Sequence, residues 1–258
     1  MYRLAKWYLD CVSEAGDVAI LYWASLRWGV VRIGYGAALL RPRPEAAVDR
    51  FTLRPGAPPA MSADGSLRWE CPALDVRGRW AIASAGPERT LLEQAEGRVN
   101  WRCVSLGGDA AVHVGGQAVE GLGYAEHLTM TIKPWDLPFN ELRWGRFVSP
   151  AVALVWMQWE GGMRKTWAFG GGFEPVRARV LPDTVELPDA GMQLAIEAGD
   201  VIRTGAVSHT ALRPLRLLTW MLPRWRTAHE TKWLARGTLT GGAAPRAGWV
   251  LHELVRWP

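Results

Sequence analysis

The sequence lacks the features that would place it across a membrane or in an oxidising compartment. No apolar run approaches the roughly 18 residues that a membrane span requires. Cysteine occurs only at Cys11, Cys71 and Cys103, without metal-ligand spacing, and an odd, scattered set indicates free thiols in a reducing compartment. The opening segment MYRLAKWYLD has charge and strand character, unlike a secretory signal. We therefore expect a soluble, cytoplasmic protein.

Concentrated charge is missing too. The net charge is +5 and the pI is about 9.4, but the excess is arginine dispersed along the chain. Dispersed arginine is typical of a solvated face, and it also permits peripheral contact with an anionic membrane. No helix-turn-helix, RNP or zinc-finger pattern occurs. We expect no nucleic-acid partner, and the composition does not predict an oligomeric state.

Helical periodicity is also absent. No segment repeats apolar residues at i, i+3, i+4 and i+7 over three turns, and the best helix candidate, Pro44–Arg50, is short. Two stretches of apolar, β-branched and aromatic residues, Asp17–Leu26 and Val30–Leu40, instead predict a hairpin. Ala151–Trp159 and Lys165–Gly170 predict a second hairpin across a double-glycine turn.

Further short strands complete an all-β prediction. Turn residues separate them, and the proline-rich stretch 41–59 predicts a surface loop. This spacing favours a sandwich or a barrel. The remaining predicted strands are Leu67–Glu70, Arg79–Ser84, Arg89–Glu93, Val99–Leu106, Gly123–Ile132, Leu142–Val148, Arg177–Leu181, Thr184–Leu187, Met192–Ala198, Arg216–Met221, Lys232–Leu239 and Trp249–Arg256.

A weak internal echo relates the two halves of the chain. Trp101–Leu128 contains a tryptophan, a glycine-rich turn and the sequence GYAEHL, whereas Trp233–Leu254 contains a tryptophan, a Gly-Gly turn and GWVLHEL. Such self-similarity indicates repeated supersecondary structure. We therefore expect two β-barrel-like halves that meet near Lys133–Glu141.

Tryptophan is the abundant residue in this composition. The chain has 16 tryptophans against 5 phenylalanines and 5 tyrosines. An indole combines a large apolar surface with one N–H donor, so it suits the wall of a cavity as well as the core of a β protein. The count alone does not separate these two uses.

Candidate chemistry is concentrated in Gly121–Phe147, which we interpret as two strands joined by a turn. Because side chains alternate along a strand, Tyr124 and Glu126 share one face among apolar neighbours. Desolvation favours the neutral form of a carboxyl group, which can then donate a proton at neutral pH. Alternatively, Glu126 forms a buried structural ion pair with Arg143 or Arg146 on the adjacent strand.

The turn between these strands is fixed by two prolines. Pro134 and Pro138 restrict the backbone on both sides of Trp135. The indole could cap a barrel mouth and stack on a ligand, or it could plug the interface between the halves. Beyond the turn, Gly145 lies among large residues, which predicts close approach of another backbone or a ligand.

Other motifs give little support to cofactor or metal chemistry. The chain has no glycine-rich dinucleotide loop in a strand–helix context and no GxSxG nucleophile motif. His229-Glu230 and His252-Glu253 are adjacent pairs, and adjacent strand residues point to opposite faces, so neither pair makes a metal site alone. We expect neither a cofactor nor a metal.

The central segment resembles the carotenoid 1,2-hydratase (hydroxyneurosporene synthase) and AttH-like group of lipocalin-fold proteins. The start of the chain, KWYLD followed by Gly16-Asp17 and Tyr22, and its ending from Gly248 to Glu253 are similar to the group as well. The sharpest matches are Gly123-Tyr124-Ala125-Glu126, Pro134-Trp135 with Leu137-Pro138, and Leu142-Arg143-Trp144-Gly145-Arg146.

This resemblance implies an all-β fold of two packed calycin/lipocalin-like antiparallel β-barrels, with an N-terminal barrel over 1–134 and a C-terminal barrel over 135–258. It also implies an apolar ligand cavity. Group members with known activity hydrate or cyclise isoprenoid or polyketide substrates by protonating a C=C bond or by templating a cyclisation. The implied partner is a hydrophobic small molecule.

Two functional hypotheses follow, and a third interpretation is a structural β protein with a filled core and no ligand. In the first, the protein is a cofactor-free hydratase or cyclase of a hydrophobic polyene or terpenoid, with Glu126 as proton donor and Tyr124 as its helper. In the second, it binds a lipophilic molecule without chemistry. The candidate substrate-binding residues are Trp135, Arg143, Trp144, Arg146, Tyr22 and Trp23.

Overall fold

The computed structural model describes residues 1–170, 173–215 and 227–257, with only the backbone of 173–176. These residues form an all-β protein, as the sequence predicts, with four short 3-10 turns at Pro72–Leu74, Pro134–Asp136, Pro188–Ala190 and Arg213–Leu215. Among them, no helix has the length and apolarity needed to cross a bilayer. The strands are β1 Tyr2–Ser13, β2 Val18–Trp28, β3 Val31–Arg41, β4 Val48–Thr52, β5 Ala60–Met61, β6 Leu67–Cys71, β7 Val76–Trp80, β8 Glu88–Gln94, β9 Gly97–Ser105, β10 Asp109–Val114, β11 Gln117–Met130, β12 Glu141–Val148, β13 Ala153–Glu160, β14 Lys165–Gly170, β15 Phe173–Val176, β16 Arg179–Val180, β17 Thr184–Leu187, β18 Met192–Ile196, β19 Asp200–Ala206, β20 His229–Thr240 and β21 Arg246–Arg256.

The chain forms two compact units, an N-terminal unit of Met1–Asp136 and a C-terminal unit of Leu137–Pro258. Each unit contains one antiparallel sheet. The N-terminal sheet has the order β4-β3-β2-β1-β11-β10-β7-β6-β5, and β9 joins β11 to β8. The first and last long strands of this unit, β1 and β11, pair over ten residues from Leu4↔Met130 to Ser13↔Gly121.

The C-terminal sheet repeats this topology. Its order is β15-β14-β13-β12-β21-β20-β18-β17-β16, with β19 on β20. β9 and β10 both pair with β11 and are separated by a short break at 106–108, whereas β20 pairs with β21 without a break. Taken as one interrupted strand, β9 and β10 correspond to β20, and β8 corresponds to β19.

Alternation along the strands explains where the cores lie. Leu9 of β1, Leu21 of β2 and Ala125 of β11 are fully buried and belong to one apolar cluster in the N-terminal unit. Phe147 of β12 and Val250 of β21 belong to the corresponding cluster in the C-terminal unit. In each unit, every second residue along these strands points into the cluster, so the residues between them face the other side of the sheet.

Both predicted hairpins are confirmed, because β2 pairs with β3 and β13 pairs with β14 in antiparallel register. The best helix candidate in the sequence, Pro44–Arg50, does not form a helix, since Val48–Thr52 is a strand that pairs with β3. This strand also interrupts the predicted surface loop over 41–59. The predicted strand Arg216–Met221 lies outside the described residues.

The expectation that Glu126 and Arg143 or Arg146 lie on adjacent, paired strands is wrong. β11 belongs to the N-terminal sheet and pairs with β1, β9 and β10, whereas β12 belongs to the C-terminal sheet and pairs with β13 and β21. The 3-10 turn Pro134–Asp136 therefore connects two sheets. The error arose because two strands that are close in sequence were assumed to pair with each other. In the structure, β11 pairs with β1 and β12 pairs with β21, and each of these partners is more than 100 residues away.

Candidate functional site

Glu126 lies on β11 within a group of buried hydrogen-bond donors. Its Oε2 atom accepts hydrogen bonds from the Tyr124 hydroxyl at 2.8 Å and from the Trp101 indole N–H at 2.7 Å. Tyr124 is on the same strand two residues earlier, whereas Trp101 comes from the neighbouring strand β9. Tyr124 is fully buried and Glu126 is 7% exposed, so both hydrogen bonds are shielded from bulk water.

Aromatic side chains surround this group on the same face of the sheet. Tyr8 lies opposite both Glu126 and Tyr22 in register, and its ring centroid is 5.3 Å from that of Tyr22 and 6.1 Å from that of Tyr124. The ammonium of Lys6 lies 5.3 Å from the Tyr22 ring. The structure thus brings together Tyr22, Tyr124 and Glu126 of the predicted site residues.

Burial keeps the donors of this group protonated. The pKa of Tyr124 is raised well above its usual value, first by desolvation and then by the charge of Glu126. Desolvation and the same carboxylate also raise the pKa of Cys103, which lies opposite Glu126 on β9. Tyr124 is therefore a hydrogen-bond donor over the whole physiological pH range.

Trp23 faces the other side of the N-terminal sheet from Tyr22. It packs against the apolar cluster together with Trp7, and its indole N–H donates to the Gly56 carbonyl at 3.1 Å. On this side His127 stacks on Trp7 with ring centroids 4.7 Å apart. Trp23 and Glu126 therefore do not belong to one site within this unit.

A cavity of about 720 Å³ opens into the C-terminal unit. Buried residues such as Trp156, Val180 and Ile196 form its inner wall, whereas Asp183 and Glu197 lie exposed at its rim. The predicted site residues Arg143 and Trp144 both line it. The complete lining is Arg143, Trp144, Trp156, Val180, Leu181, Pro182, Asp183, Ile196, Glu197, Ala198, Gly199, Trp233, His252, Glu253, Leu254 and Arg256.

His252 is a titratable group in the lining of this cavity. Its imidazole stacks on Trp233, with ring centroids 4.9 Å apart and an interplanar angle of 18°. Desolvation, helped by the nearby cations Lys232 and Arg143, lowers its pKa to about 4. At neutral pH, His252 is therefore a neutral imidazole that can donate or accept one hydrogen bond.

Gly145 makes room for an indole beside the same histidine. A Cβ atom placed on Gly145 would lie 2.2 Å from Trp156 Cζ2 and 2.9 Å from His252 Cβ. The sequence predicts close approach of another backbone or a ligand at Gly145, whereas the structure places the Trp156 side chain there. No other residue type fits there without moving that ring.

Several of the charges around the cavity are paired with one another, whereas Asp183 and Glu197 are exposed at its rim. Glu141 bridges Arg143 and Arg256, with N–O distances of 2.8 Å to each, and Lys232 is paired with Glu253. Although burial opposes it, the two arginines keep the pKa of Glu141 below its usual value. These pairs leave the neutral His252 and the indoles as the groups that suit an uncharged ligand.

The other two predicted site residues, Trp135 and Arg146, are not among the residues that line this cavity. Trp135 is in the 3-10 turn of the N-terminal unit, where its ring is 5.2 Å from that of Trp28 and 6.2 Å from that of Tyr2. Arg146 is fully buried on β12, one residue beyond Gly145, and it lies opposite Leu251 and Val155 in register.

Sequence reasoning missed Trp101, Trp233 and the cavity role of His252. Adjacent strand residues were correctly expected to diverge: Glu253 pairs with Lys232, whereas His252 stacks on Trp233. The echo between GYAEHL and GWVLHEL was the available signal, because it aligns His252 with His127. Among the described residues, no group of three or more His, Cys, Asp or Glu side chains could hold a metal ion.

Comparison with solved structures identifies the fold. The AttH-like protein of Nitrosomonas europaea matches with a TM-score of 0.61 and 12% identity, covering 98% of this chain and 92% of that one. CghA, in complex with Sch210972, matches with a TM-score of 0.57 and 10% identity, covering 99% and 88%. Kievitone hydratase of Nectria haematococca gives a TM-score of 0.46 at 8% identity, covering 98% and 88%, which is too distant to support an argument.

These matches show a lipocalin-like fold of the AttH type, in agreement with the predicted fold class. At such low identity they show the fold alone. No family model matches the sequence. No curated protein sequence matches it.

Proposed function

We propose that the protein is a cofactor-free hydratase or cyclase that protonates a C=C bond of a hydrophobic isoprenoid or polyene, with Glu126 as the acid. The observation that carries the proposal is the buried carboxyl group of Glu126, whose Oε2 atom accepts hydrogen bonds from Tyr124 and Trp101. The resemblance of the central segment to the carotenoid 1,2-hydratase group supports the reaction class.

The hydrogen bonds suggest how the acid would work. Both donors engage Oε2, and in the proposed reaction the transferred proton is carried on Oε1. The π electrons of the substrate's C=C bond take this proton and form a C–H bond, which leaves a carbocation and a carboxylate. Tyr124 and Trp101 then stabilise the negative charge on Oε2, because charge-assisted hydrogen bonds are stronger than neutral ones.

The cation has two balanced fates. Water adds to it and returns one proton to Glu126, which gives a hydrated product, or a second C=C bond of the substrate attacks it and closes a ring before a proton is lost to Glu126. Aromatic faces such as Tyr8 and Tyr22 beside the carboxyl group would stabilise cationic carbon. The substrate roles of Trp135, Arg143, Trp144 and Arg146 remain parts of this proposal, whereas Trp23 is left out of it because it faces the other side of the sheet from Tyr22.

The test is Glu126→Gln with acyclic polyenes and terpenols as substrates. The amide oxygen can still accept from Tyr124 and Trp101, so the fold should persist while the acid is lost. We expect kcat to fall by about 10²–10⁴-fold, and wild-type product formed in D₂O should carry one deuterium on carbon. Glu120→Gln, at an exposed position of the same strand, is the matched control. Full activity in Glu126→Gln would disprove this mechanism.

A second candidate function is binding of a lipophilic molecule without chemistry, and the cavity of the C-terminal unit favours it. Its volume of about 720 Å³ is within the range of small-molecule sites. Three tryptophans and the neutral His252 suit an uncharged, flat ligand that carries a hydroxyl or carbonyl group.

Binding without chemistry predicts that ligand is recovered unchanged. Organic extraction of purified protein, followed by mass spectrometry, should release one molecule per chain, and Trp233→Ala should reduce its occupancy. Glu126→Gln should leave occupancy unchanged. Extracts without ligand, together with no quenching of tryptophan fluorescence by any added polyene or terpenol, would contradict this function.

A further inference from the structure

Three arginines form a row across the first three strands of the N-terminal unit. Arg3 of β1 lies directly opposite Arg27 of β2, and Arg27 lies directly opposite Arg32 of β3. All three side chains are exposed. In the described part of the chain, none of them is paired with an acidic side chain. Like charges directly opposite one another destabilise a sheet, so this row is costly to the isolated protein.

The same end of the β2–β3 hairpin exposes apolar side chains. Val30, in the turn, is 98% exposed, and its neighbours Val31 and Trp28 are 41% and 37% exposed. Trp28 packs against Trp135 on its inner side. Single exposed apolar residues are common, but a group of three at a hairpin end is unusual when it adjoins unpaired cations.

Neighbouring charges do not cancel the row. Lys133 lies 5.9 Å from the Trp135 ring and is paired with Asp136 at 3.6 Å, so this pair adds no net charge. By contrast, two other exposed arginines of the unit lie opposite acids in register, Arg77 opposite Glu70 and Arg98 opposite Glu93, and Arg68 and Arg79, which lie opposite each other, both contact Asp64.

We propose that this hairpin end, comprising Arg3, Arg27, Trp28, Val30, Val31 and Arg32, docks on a membrane surface that contains anionic phospholipid. The arginine row binds lipid phosphates, which removes its self-repulsion. Val30 and Trp28 enter the boundary between headgroups and acyl chains, where tryptophan is favoured. Nucleic acid would satisfy the arginines but would leave the exposed valines without a role. The inference does not depend on the proposed reaction, because docking requires no turnover.

Sedimentation with vesicles tests the proposal. Wild-type protein should bind vesicles of phosphatidylcholine that contain about 30 mole per cent phosphatidylserine. Binding should weaken as the salt concentration is raised, because salt screens exposed charges. Replacing Arg3, Arg27 and Arg32 with Gln together should weaken partitioning by about 100-fold, or roughly fivefold per arginine. Val30→Asp should weaken it by about tenfold.

The matched control removes the same charge elsewhere. Arg77, Arg98 and Arg246 are exposed arginines outside the row, and replacing these three with Gln should weaken binding much less. Thermal melting of each variant checks the fold, and the row variant should melt no lower than wild type. Equal losses in the two triple variants, no preference for the anionic vesicles, or tighter binding to single-stranded RNA than to them would each overturn the proposal.

Discussion

The two units differ at one equivalent position, the residue of the first strand that lies opposite the histidine of the last strand. This residue is Trp7 of β1 in the N-terminal unit and Gly145 of β12 in the C-terminal unit. The registers Trp7↔His127 and Gly145↔His252 make the two positions equivalent. Trp7 stacks on His127 and packs against the apolar cluster. Gly145 has no side chain, so His252 stacks instead on Trp233 and borders a cavity of about 720 Å³. The same topology thus supports a filled interior in one place and an open one in the other.

The opposite faces of the two sheets differ in how they satisfy buried carboxylates. Glu126 receives hydrogen bonds from the neutral donors Tyr124 and Trp101. In the C-terminal unit, Glu230 is paired instead with Arg203 at 2.9 Å, and although burial opposes it, cations lower the pKa of Glu230. The two buried carboxyl groups thus differ in their contacts: an indole and a phenol donate to Glu126, and a guanidinium is paired with Glu230.

The largest effect should come from removing an indole that fills the N-terminal unit. Trp80 is buried, donates a hydrogen bond to the Asp10 carbonyl at 2.7 Å and packs on Gly78 and Gly123. Trp80→Ala should lower the free energy of unfolding by about 4–5 kcal/mol. Trp156→Ala should cost about 2–3 kcal/mol, because Trp156 already borders an open cavity. Urea unfolding followed by far-UV circular dichroism measures both, and equal costs would show that the two interiors do not differ as described.

Sequence patterns predicted those features of the two units that depend on residues close together in the chain. Alternation placed Tyr124 and Glu126 on one face, and their hydrogen bond confirms it. Apolar runs separated by turn residues predicted the two hairpins, because such strands pair with their neighbours in sequence. The echo between the halves aligned His127 with His252, which both stack on tryptophan.

Long-range pairing could not be predicted in this way. Trp101 reaches Glu126 because β9 pairs with β11, and Tyr8 reaches it because β1 does. Nothing in the spacing of these residues indicates either pairing, since strand partners are chosen by the whole sheet. The cavity has the same origin, because Trp156 and Trp233, which line it, come from two other strands.

The next prediction concerns the pH dependence of stability, to which His252 and His127 should contribute by different amounts. The pKa of His252 is about 4 in the folded protein, against about 6.5 in the unfolded chain. As the pH falls from 7 to 5, the unfolded state binds a proton and the folded state does not, so this group alone should reduce stability by about 2 kcal/mol. His252→Gln removes that proton uptake and should flatten the pH dependence over this window.

His127→Gln is the matched comparison for this series. Burial first and then Arg102 lower the pKa of His127, while Glu88 opposes them, so a smaller flattening is expected. Carboxylates with lowered pKa values, such as Glu141, lose their contribution only as the pH falls below about 5. Urea midpoints between pH 7 and pH 5 therefore isolate the histidines. A steeper dependence in His252→Gln than in wild type would contradict the neutral, buried state of His252.

The last prediction tests whether Gly145 keeps the C-terminal unit open. Gly145→Ala places a methyl group against Trp156 and should cost about 1–3 kcal/mol, because the indole must move off its present site. Gly242→Ala is the control, since nothing lies within 4 Å of its added Cβ, and it should change stability by less than about 0.5 kcal/mol. If the displaced indole enters the cavity, Gly145→Ala should also bind lipophilic ligands more weakly than Gly242→Ala does. Equal stability and equal ligand binding in the two variants would mean that the glycine does not maintain the difference between the units.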